Sequence, residues 1–548
     1  IDGYIIPKND EFFSEYAEND RLKNISNFTG SAGLAIILRK KNYLFVDGRY
    51  TIQAQNESGK NFKIIEIHKK LPHTVIKNCK LGFDPNLFTF KKLEYYFSTN
   101  NKLISINNNL IDKIFKNKSK PKKPFFSLDK KITGESHKSK IKKIVNFLNL
   151  NKADYLFVSA PENVAWLLNI RGYDNPTSPI PNARLIIGKN KKLLLFTQKN
   201  NIIKIINEKK IMHNQVFDFL NFKELIEKLN GSNFIIDSHS CSVFAEKIIK
   251  SKFKIRAKED PIYKLKSIKN SSEIKNMIEA HKKDGLALTK FIYWIKNVNK
   301  KNITEVKAQN KLEKFRKMSQ DYLYPSFNTI AGTGSNGAIV HYRATKKNTK
   351  NINLKDIFLC DSGGQYKYGT TDVTRTICFS TQKQYVIDTF TKVLKGHIAV
   401  ALTNLNKDNT GKKIDIRARR FLKKDGLDYA HGTGHGVGFF LNVHEGPQSI
   451  SKYNTIKIEK GMILSNEPGF YKKNYFGIRI ENLVYTKQIK NNLFFENLTL
   501  APIEKDLINY TLLDKKEKDY LFRYHLNIYA EYSSLLNKKE RKWLASLI

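Results

Sequence analysis

The stretch HGTGHGVGFFLNVHEGP, His431 to Pro447, holds three of the chain's twelve histidines and an acid, and no lysine or arginine. Imidazoles and a carboxylate with cations kept away are the makings of a metal site, because a nearby ammonium repels the ion the site must hold. Alternating glycines (Gly432, Gly434, Gly436, Gly438) argue against a regular helix and let backbone come close. An HExxH zinc helix is absent from the sequence. Acids come from two other stretches. CDSGGQYKYGTTDVTRT carries Asp361 and Asp372, eleven apart, and SNEPGFYKKNYFGIRIEN carries Glu467 and Glu481, fourteen apart. Each reads as a strand ending in an acid, a small-residue turn and a returning strand with a second acid, which predicts a β-hairpin joining two carboxylates. Two such hairpins face to face gather four carboxylates, which cannot all stay ionised without counter-charge. Two divalent cations supply it, with His435 as a neutral nitrogen ligand. That oxygen-rich set suits Mn²⁺, with Co²⁺ or Zn²⁺ as alternatives.

Three segments lack Lys and Arg: Met318–Tyr342, Asp356–Tyr366 and Asp425–Ser451. Lys plus Arg make up 96 of 548 residues, so each of the two longer segments should have held several. Buried strands also exclude lysine, but burial alone would not fill the gaps with His, Asp and Glu. Elsewhere the net charge of +45 comes from lysines in nearly every ten-residue block. Without a homeodomain, zinc-finger or RNP-like pattern, that bias predicts no specific nucleic-acid partner, only weak Coulombic binding at low salt. The motif GTGSNG, Gly332–Gly337, fits GxGxxG, but a strand-like AIVHY follows where a phosphate-binding helix should begin, so nucleotide binding is not expected. Four cysteines show no CxxC and read as reduced thiols, Cys360 as packing.

The elements that must position these residues divide into three blocks. Residues 1–135 read as mixed α/β, with strands in AGLAIIL and KNYLFVDGRY and a Lys/Pro linker at Lys116–Pro124. Residues 136–266 repeat that order: a helix near Ser139–Leu150, a buried strand in ADYLFVSA, a helix NVAWLLNIRG closed by Gly172, then further strands. Residues 267–548 open on a long amphipathic helix with Ser271 and Ser272 as N-cap candidates, continue through strands with Gly-rich turns, and end in a helical tail from Asp514, expected to pack on a neighbouring subunit. No run reaches the ~18 apolar residues that span a bilayer, and no membrane partner is expected. A cytoplasmic location is the default, with the start at Ile1 leaving room for a leader upstream.

The stretches FLCDSGGQYKYGTTDVTRT, HGTGHGVGFFLNVHEGP, NEPGFY and GIRIEN resemble the dinuclear metallopeptidases of the pita-bread fold, in the long three-domain form of aminopeptidase P. NFTGSAGLAII and DGRYTIQAQ resemble its first domain, NVAWLLNIRGYDNP its second, and SFNTIAGTGSNGAIVHYR with LTLAPIEKDLI its catalytic domain and tail. The resemblance implies an α/β (α+β) chain: two N-terminal creatinase-like mixed α/β domains followed by a pita-bread catalytic domain. It implies release of the N-terminal residue from peptides with a free N-terminus and proline second. Asp361 would bind one metal, Asp372 and Glu481 would bridge two, and His435 and Glu467 would complete the second. A hydroxide between the ions would be the nucleophile. Glu467 would accept its proton, His341 and His444 would stabilise the oxyanion or steer the leaving proline, His431 would shape the proline pocket, and Arg479 would hold ligand carboxylates. A homodimer through the catalytic domain also follows from the resemblance alone. The rivals are a prolidase cleaving Xaa-Pro dipeptides, a methionine aminopeptidase, and a metal-free pita-bread binding or scaffold protein. Chain length weighs against the first two, and the full set of five ligands against the last.

Overall fold

The computed structural model describes residues 1–97, 100–115 and 123–548, so residues 116–122 of the expected linker lie outside the described residues. The chain divides into two compact units, Ile1–Lys266 and Ser267–Ile548.

Unit 1 contains two six-stranded sheets with the same plan. In the first, the strand order is 63–66, 42–46, 34–38, 3–7, 80–83, 102–105. Neighbours along it pair parallel, antiparallel, antiparallel, parallel and parallel. The second runs 216–217, 193–196, 184–188, 155–158, 233–236, 254–257 with the same sequence of pairings. Two sheets of one topology fit the repeated order of elements in the sequence. The expected helix at NVAWLLNIRG is shorter than predicted. It spans Pro161–Leu168 and is closed by Asn169 in the left-handed region at φ 52°, not by Gly172. A short amide side chain tolerates that conformation, and the chain goes directly into a strand at Ile170–Arg171.

Unit 2 opens with the helix Ser271–Asn297. Its N-cap is Asn270 rather than Ser271 or Ser272: Asn270 Oδ1 accepts the N–H groups of Ser272 and Glu273, while Glu273 reaches back to the Asn270 N–H. A three-stranded antiparallel sheet orders Ile330–Thr333, Phe358–Ser362 and Val373–Ile377, and a five-stranded one orders Glu445–Ile450, Gly434–Gly436, Ile463–Asn466, Asn482–Ile489 and Asn492–Asn497. The helices Gln384–Ala401 and Lys515–Tyr532 pack with a two-stranded sheet, Gly469–Lys472 and Phe476–Arg479: Val393, Leu394, Leu521, Ile528 and Ile478 share one core. The helical tail therefore packs into its own unit, with Leu544 fully buried there. GTGSNG runs from the strand Ile330–Thr333 into a 3-10 turn, Gly334–Ala338, and the strand expected at AIVHY does not form. No α-helix starts at that motif to receive a phosphate. Among the described residues no helix is long and apolar enough to cross a membrane.

Candidate metal centre

Both acid-bearing stretches fold as hairpins. Asp361 sits in the strand Phe358–Ser362, opposite Thr374, and Asp372 immediately precedes the returning strand Val373–Ile377. Glu467 follows the strand Ile463–Asn466, Glu481 precedes Asn482–Ile489, and Asn466 pairs with Asn482 between them. The hairpins are tied together at the acids: the Glu481 N–H donates to Thr374 O at 3.1 Å, and Thr374 Oγ1 donates to Glu481 Oε2 at 2.7 Å. Behind them the buried Arg375 donates to Glu481 O at 2.6 Å, to Asn482 Oδ1 at 2.8 Å and to the Pro502 and Ala501 carbonyls. Three acids are nearly removed from water: Asp361 is 7 % exposed, Asp372 4 % and Glu481 2 %.

The glycine-rich stretch brings in the histidines. Gly434 lies against strand Ile463–Asn466, where a Cβ would meet Ser465 O at 2.0 Å. That close approach carries His435 into the acids. Its N–H donates to Ser465 Oγ, and its Nδ1 lies 2.9 Å from Gly436 O, which requires the proton on Nδ1. Nε2 then faces Asp372 Oδ2 and Glu467 Oε1, each 3.4 Å away. The His444 ring stands perpendicular to His435 with centroids 4.4 Å apart. His431 Nδ1 is 3.9 Å from Glu467 Oε2, and its Nε2 is 2.8 Å from Tyr471 Oη. Arg419 fixes the start of this stretch, donating to Tyr429 O and His431 O while paired with Asp415 and Asp428.

Arg479 is fully buried and spans the floor of the site. Nη2 donates to Asp361 Oδ2 at 2.5 Å, Nε to Thr374 Oγ1 at 3.1 Å and Nη1 to Tyr471 Oη at 2.6 Å. Its strand, Phe476–Arg479, packs against the turn Gly334–Ala338, where a Cβ on Gly477 would meet Gly337 O at 1.8 Å. His341 follows that turn and is partly exposed. Tyr342 beside it is core, its hydroxyl bonded to Glu305 and the Asn348 carbonyl. Cys360 is buried packing with its thiol pushed up to about 12 by burial. His281, His397 and His525 are buried, and His397 Nδ1 lies 3.1 Å from the carbonyl oxygen of Asn466, the residue before Glu467.

The donor set fits divalent cations. One ligand atom each from Asp372, His435 and Glu481 lie within 4.8 Å of one another. Asp361 Oδ1 and Asp372 Oδ1 are buried without a hydrogen-bond partner, a costly state for a carboxylate oxygen unless an ion takes it. The permanently charged Arg479 bonds one of the four acids, Asp361. The titration behaviour reports the same imbalance. Burial and the neighbouring acids push Asp372 up to about 6, and Glu481 is driven well above the carboxylate range by burial and by Asp372, Glu467 and Asp361. Burial opposes charge on His435, but the Asp372 hydrogen bond and the Glu467 field outweigh it and push the imidazole up to about 9. A proton is held where a cation would otherwise sit.

Sequence reasoning missed the residues that hold this set in place. Thr374 could have been found, since it lies two residues after Asp372 on the same strand face. Tyr471, which bridges His431 and Arg479, and Arg375, on the opposite face, have no such signal.

Comparison with known proteins adds four family matches. Residues 275–488 match metallopeptidase family M24 and 491–547 its C-terminal region; residues 1–114 and 116–273 each match a creatinase/prolidase N-terminal domain. The chain is 36% identical to a probable Xaa-Pro aminopeptidase P of Laccaria bicolor, over 99% of this chain and 90% of that one. The crystal structure of an X-prolyl aminopeptidase from Caenorhabditis elegans, described as a cytosolic enzyme with a di-nuclear active site, superposes with a TM-score of 0.90 at 28% identity, covering 100% of this chain and 95% of that one. Prolidase from Pyrococcus furiosus is 26% identical with a TM-score of 0.52, and its chain is 99% covered by only 65% of this one.

Proposed function

The chain belongs to metallopeptidase family M24, with creatinase-type N-terminal domains before a pita-bread domain, and acts as an Xaa-Pro aminopeptidase using a dinuclear metal site; on that premise we propose how its residues divide the work. Asp361, Asp372, His435, Glu467 and Glu481 hold the two ions. The observation that carries this assignment is the convergence of two hairpins and one histidine on buried carboxylate oxygens that have no protein partner. Four carboxylates and one imidazole favour Mn²⁺ over softer ions. When bound, the ions supply Lewis acidity, polarising the scissile carbonyl and lowering the pKa of water.

The remaining steps belong to side chains. The Xaa–Pro bond is a tertiary amide, so the leaving nitrogen must be protonated before it departs as a secondary amine. Glu467 accepts the proton of the attacking water and passes it towards that nitrogen. His444, against the His435 ring, and His341 donate to the carbonyl oxygen as it gains negative charge. His431, held by Tyr471 on one side and stacked near Tyr429 on the other, forms a wall for the proline ring. Arg479 holds Asp361 in place through its Nη2. We propose domain limits at 1–135, 136–266 and 267–548, a homodimer through the catalytic unit and a cytosolic location; mass in solution and fractionation test the last two.

Metal-stripped protein incubated with Arg-Pro-Pro and with Ala-Pro, with and without Mn²⁺, tests the reading. Metal-dependent release of arginine from the tripeptide, lost in Glu467→Ala, is the expected result. Cleavage of the dipeptide alone would move the assignment to a prolidase. No cleavage of either with metal bound would overturn the peptidase reading.

A further inference from the structure

The +45 net charge takes no part in the chemistry above. Some exposed lysines of unit 1 are answered by an acid: Lys189 by Asp154, Lys143 by Glu135, Lys228 by Glu224. One concavity has no such answer. At a corner of the first six-stranded sheet, a hollow of about 440 Å³ is lined by Arg39, Lys40, Lys41, Lys60 and Lys63, and no acid lines it. Among the described residues none of the five forms an ion pair.

The backbone under these cations is ordered by the sheet. The turn 39–41 closes the hairpin between Leu34–Leu38 and Asn42–Val46, with the Leu38 N–H donating to Lys41 O at 3.2 Å. The strand Lys63–Glu66 runs parallel to Asn42–Val46, with Lys63 opposite Tyr43. Asn42 Nδ2 donates to Asn61 O at 3.4 Å and ties the two approaches together, and Phe62, 6 % exposed, is buried beneath them. Neighbouring strands are ~4.8 Å apart, and the Debye length at physiological salt is ~8 Å. The five charges therefore feel one another, and a multivalent anion would relieve a repulsion that the sheet holds in place.

We propose that this hollow binds a compact chain of linked phosphates, of the inorganic tripolyphosphate class. Lysine ammonium groups are point charges that suit phosphate oxygens from several directions. The aromatic lining residue, Phe62, is buried, so no open ring is offered for a base to stack on, which favours free polyphosphate over a nucleotide. The five cations line a single hollow, which suits a compact anion better than an extended nucleic acid.

The test is calorimetric titration of the full chain with sodium tripolyphosphate. Wild type is compared with K40E/K60E and with K138E/K142E, which makes the same charge change on exposed positions of the helix His137–Leu150. Any withdrawal of metal from the catalytic unit is common to all three proteins, so the difference between them reads the hollow. Wild type should show one saturable site, weakened at least tenfold in K40E/K60E and less than twofold in K138E/K142E, with unchanged thermal melting in both variants. Equal weakening in the two variants, or no saturable site in wild type, would assign the binding to the overall field and overturn the proposal.

Discussion

Replacing Thr374 by Val separates the geometry of the metal centre from its donor list. Thr374 is no ligand, yet its hydroxyl donates to Glu481 Oε2 at 2.7 Å and accepts from Arg479 Nε at 3.1 Å. All three residues are buried, Thr374 at 0 % exposure and the other two at 2 %. Val keeps the shape and the strand and removes both bonds. A hydrogen bond to a charged group contributes about 1.5–3 kcal/mol, and both partners here are left without water to replace it. The expected loss is about 3 kcal/mol, or a fall in Tm of roughly 6–12 °C for a unit of this size. With Glu481 free to turn, kcat/KM for Arg-Pro-Pro should drop about 10–100-fold, the usual cost of removing a group that orients a metal ligand. Metal affinity should fall with it, while KM changes little. Thr374→Ser keeps the hydroxyl and should recover most of the activity. Wild-type kcat/KM, metal affinity and melting in T374V would refute the idea that this hydroxyl orients Glu481.

Three further outcomes follow from the packing. Tyr471→Phe removes the hydroxyl shared by Arg479 and His431, and should lower kcat about tenfold with metal content unchanged, read by steady-state kinetics beside metal analysis. Lys269 and Glu445 form an ion pair with side chains 0 % and 2 % exposed. K269M takes the ammonium away from a buried carboxylate and should cost about 3–5 kcal/mol in denaturant unfolding, while K269M/E445L should regain most of it. Burial, and then Arg375, lower the His525 imidazole to about 4, and its Nε2 accepts the Ile503 N–H. Because the folded pKa lies below the unfolded value of about 6.5, the unfolded chain takes up the proton first. Stability is therefore lost as pH falls from about 6.5 towards 4, by about 3 kcal/mol in the limit. Melting curves of His525→Gln should show a shallower dependence over that window.

Much of this arrangement was legible in the residues, for physical reasons that differ by feature. The two hairpins follow from strand–turn–strand spacing, and the position of His435 from glycines that only a close backbone approach explains. Helix ends were less legible. Asn270 caps the long helix ahead of two serines because its side chain and Glu273 satisfy each other's N–H groups, a choice made by geometry among three adjacent cap formers. Asn169 ends its helix because an amide tolerates φ 52° and the next residues are claimed by a strand. The turn within GTGSNG packs against Gly477, more than one hundred residues away in sequence, and no local pattern encodes that contact. Tyr471 and Arg375 work through the crossing of the two hairpins, which exists only once both are folded.

The most direct test of the account is the number of metal ions per chain. Metal-stripped wild type, dialysed against Mn²⁺ and analysed for bound metal and for Arg-Pro-Pro hydrolysis, should bind two ions and recover activity in proportion to occupancy. Asp372→Asn and His435→Ala should each bind one ion or fewer and lose activity, while remaining folded by melting. Full activity without divalent metal, or two ions retained with full activity in both variants, would contradict the assignment of these five residues.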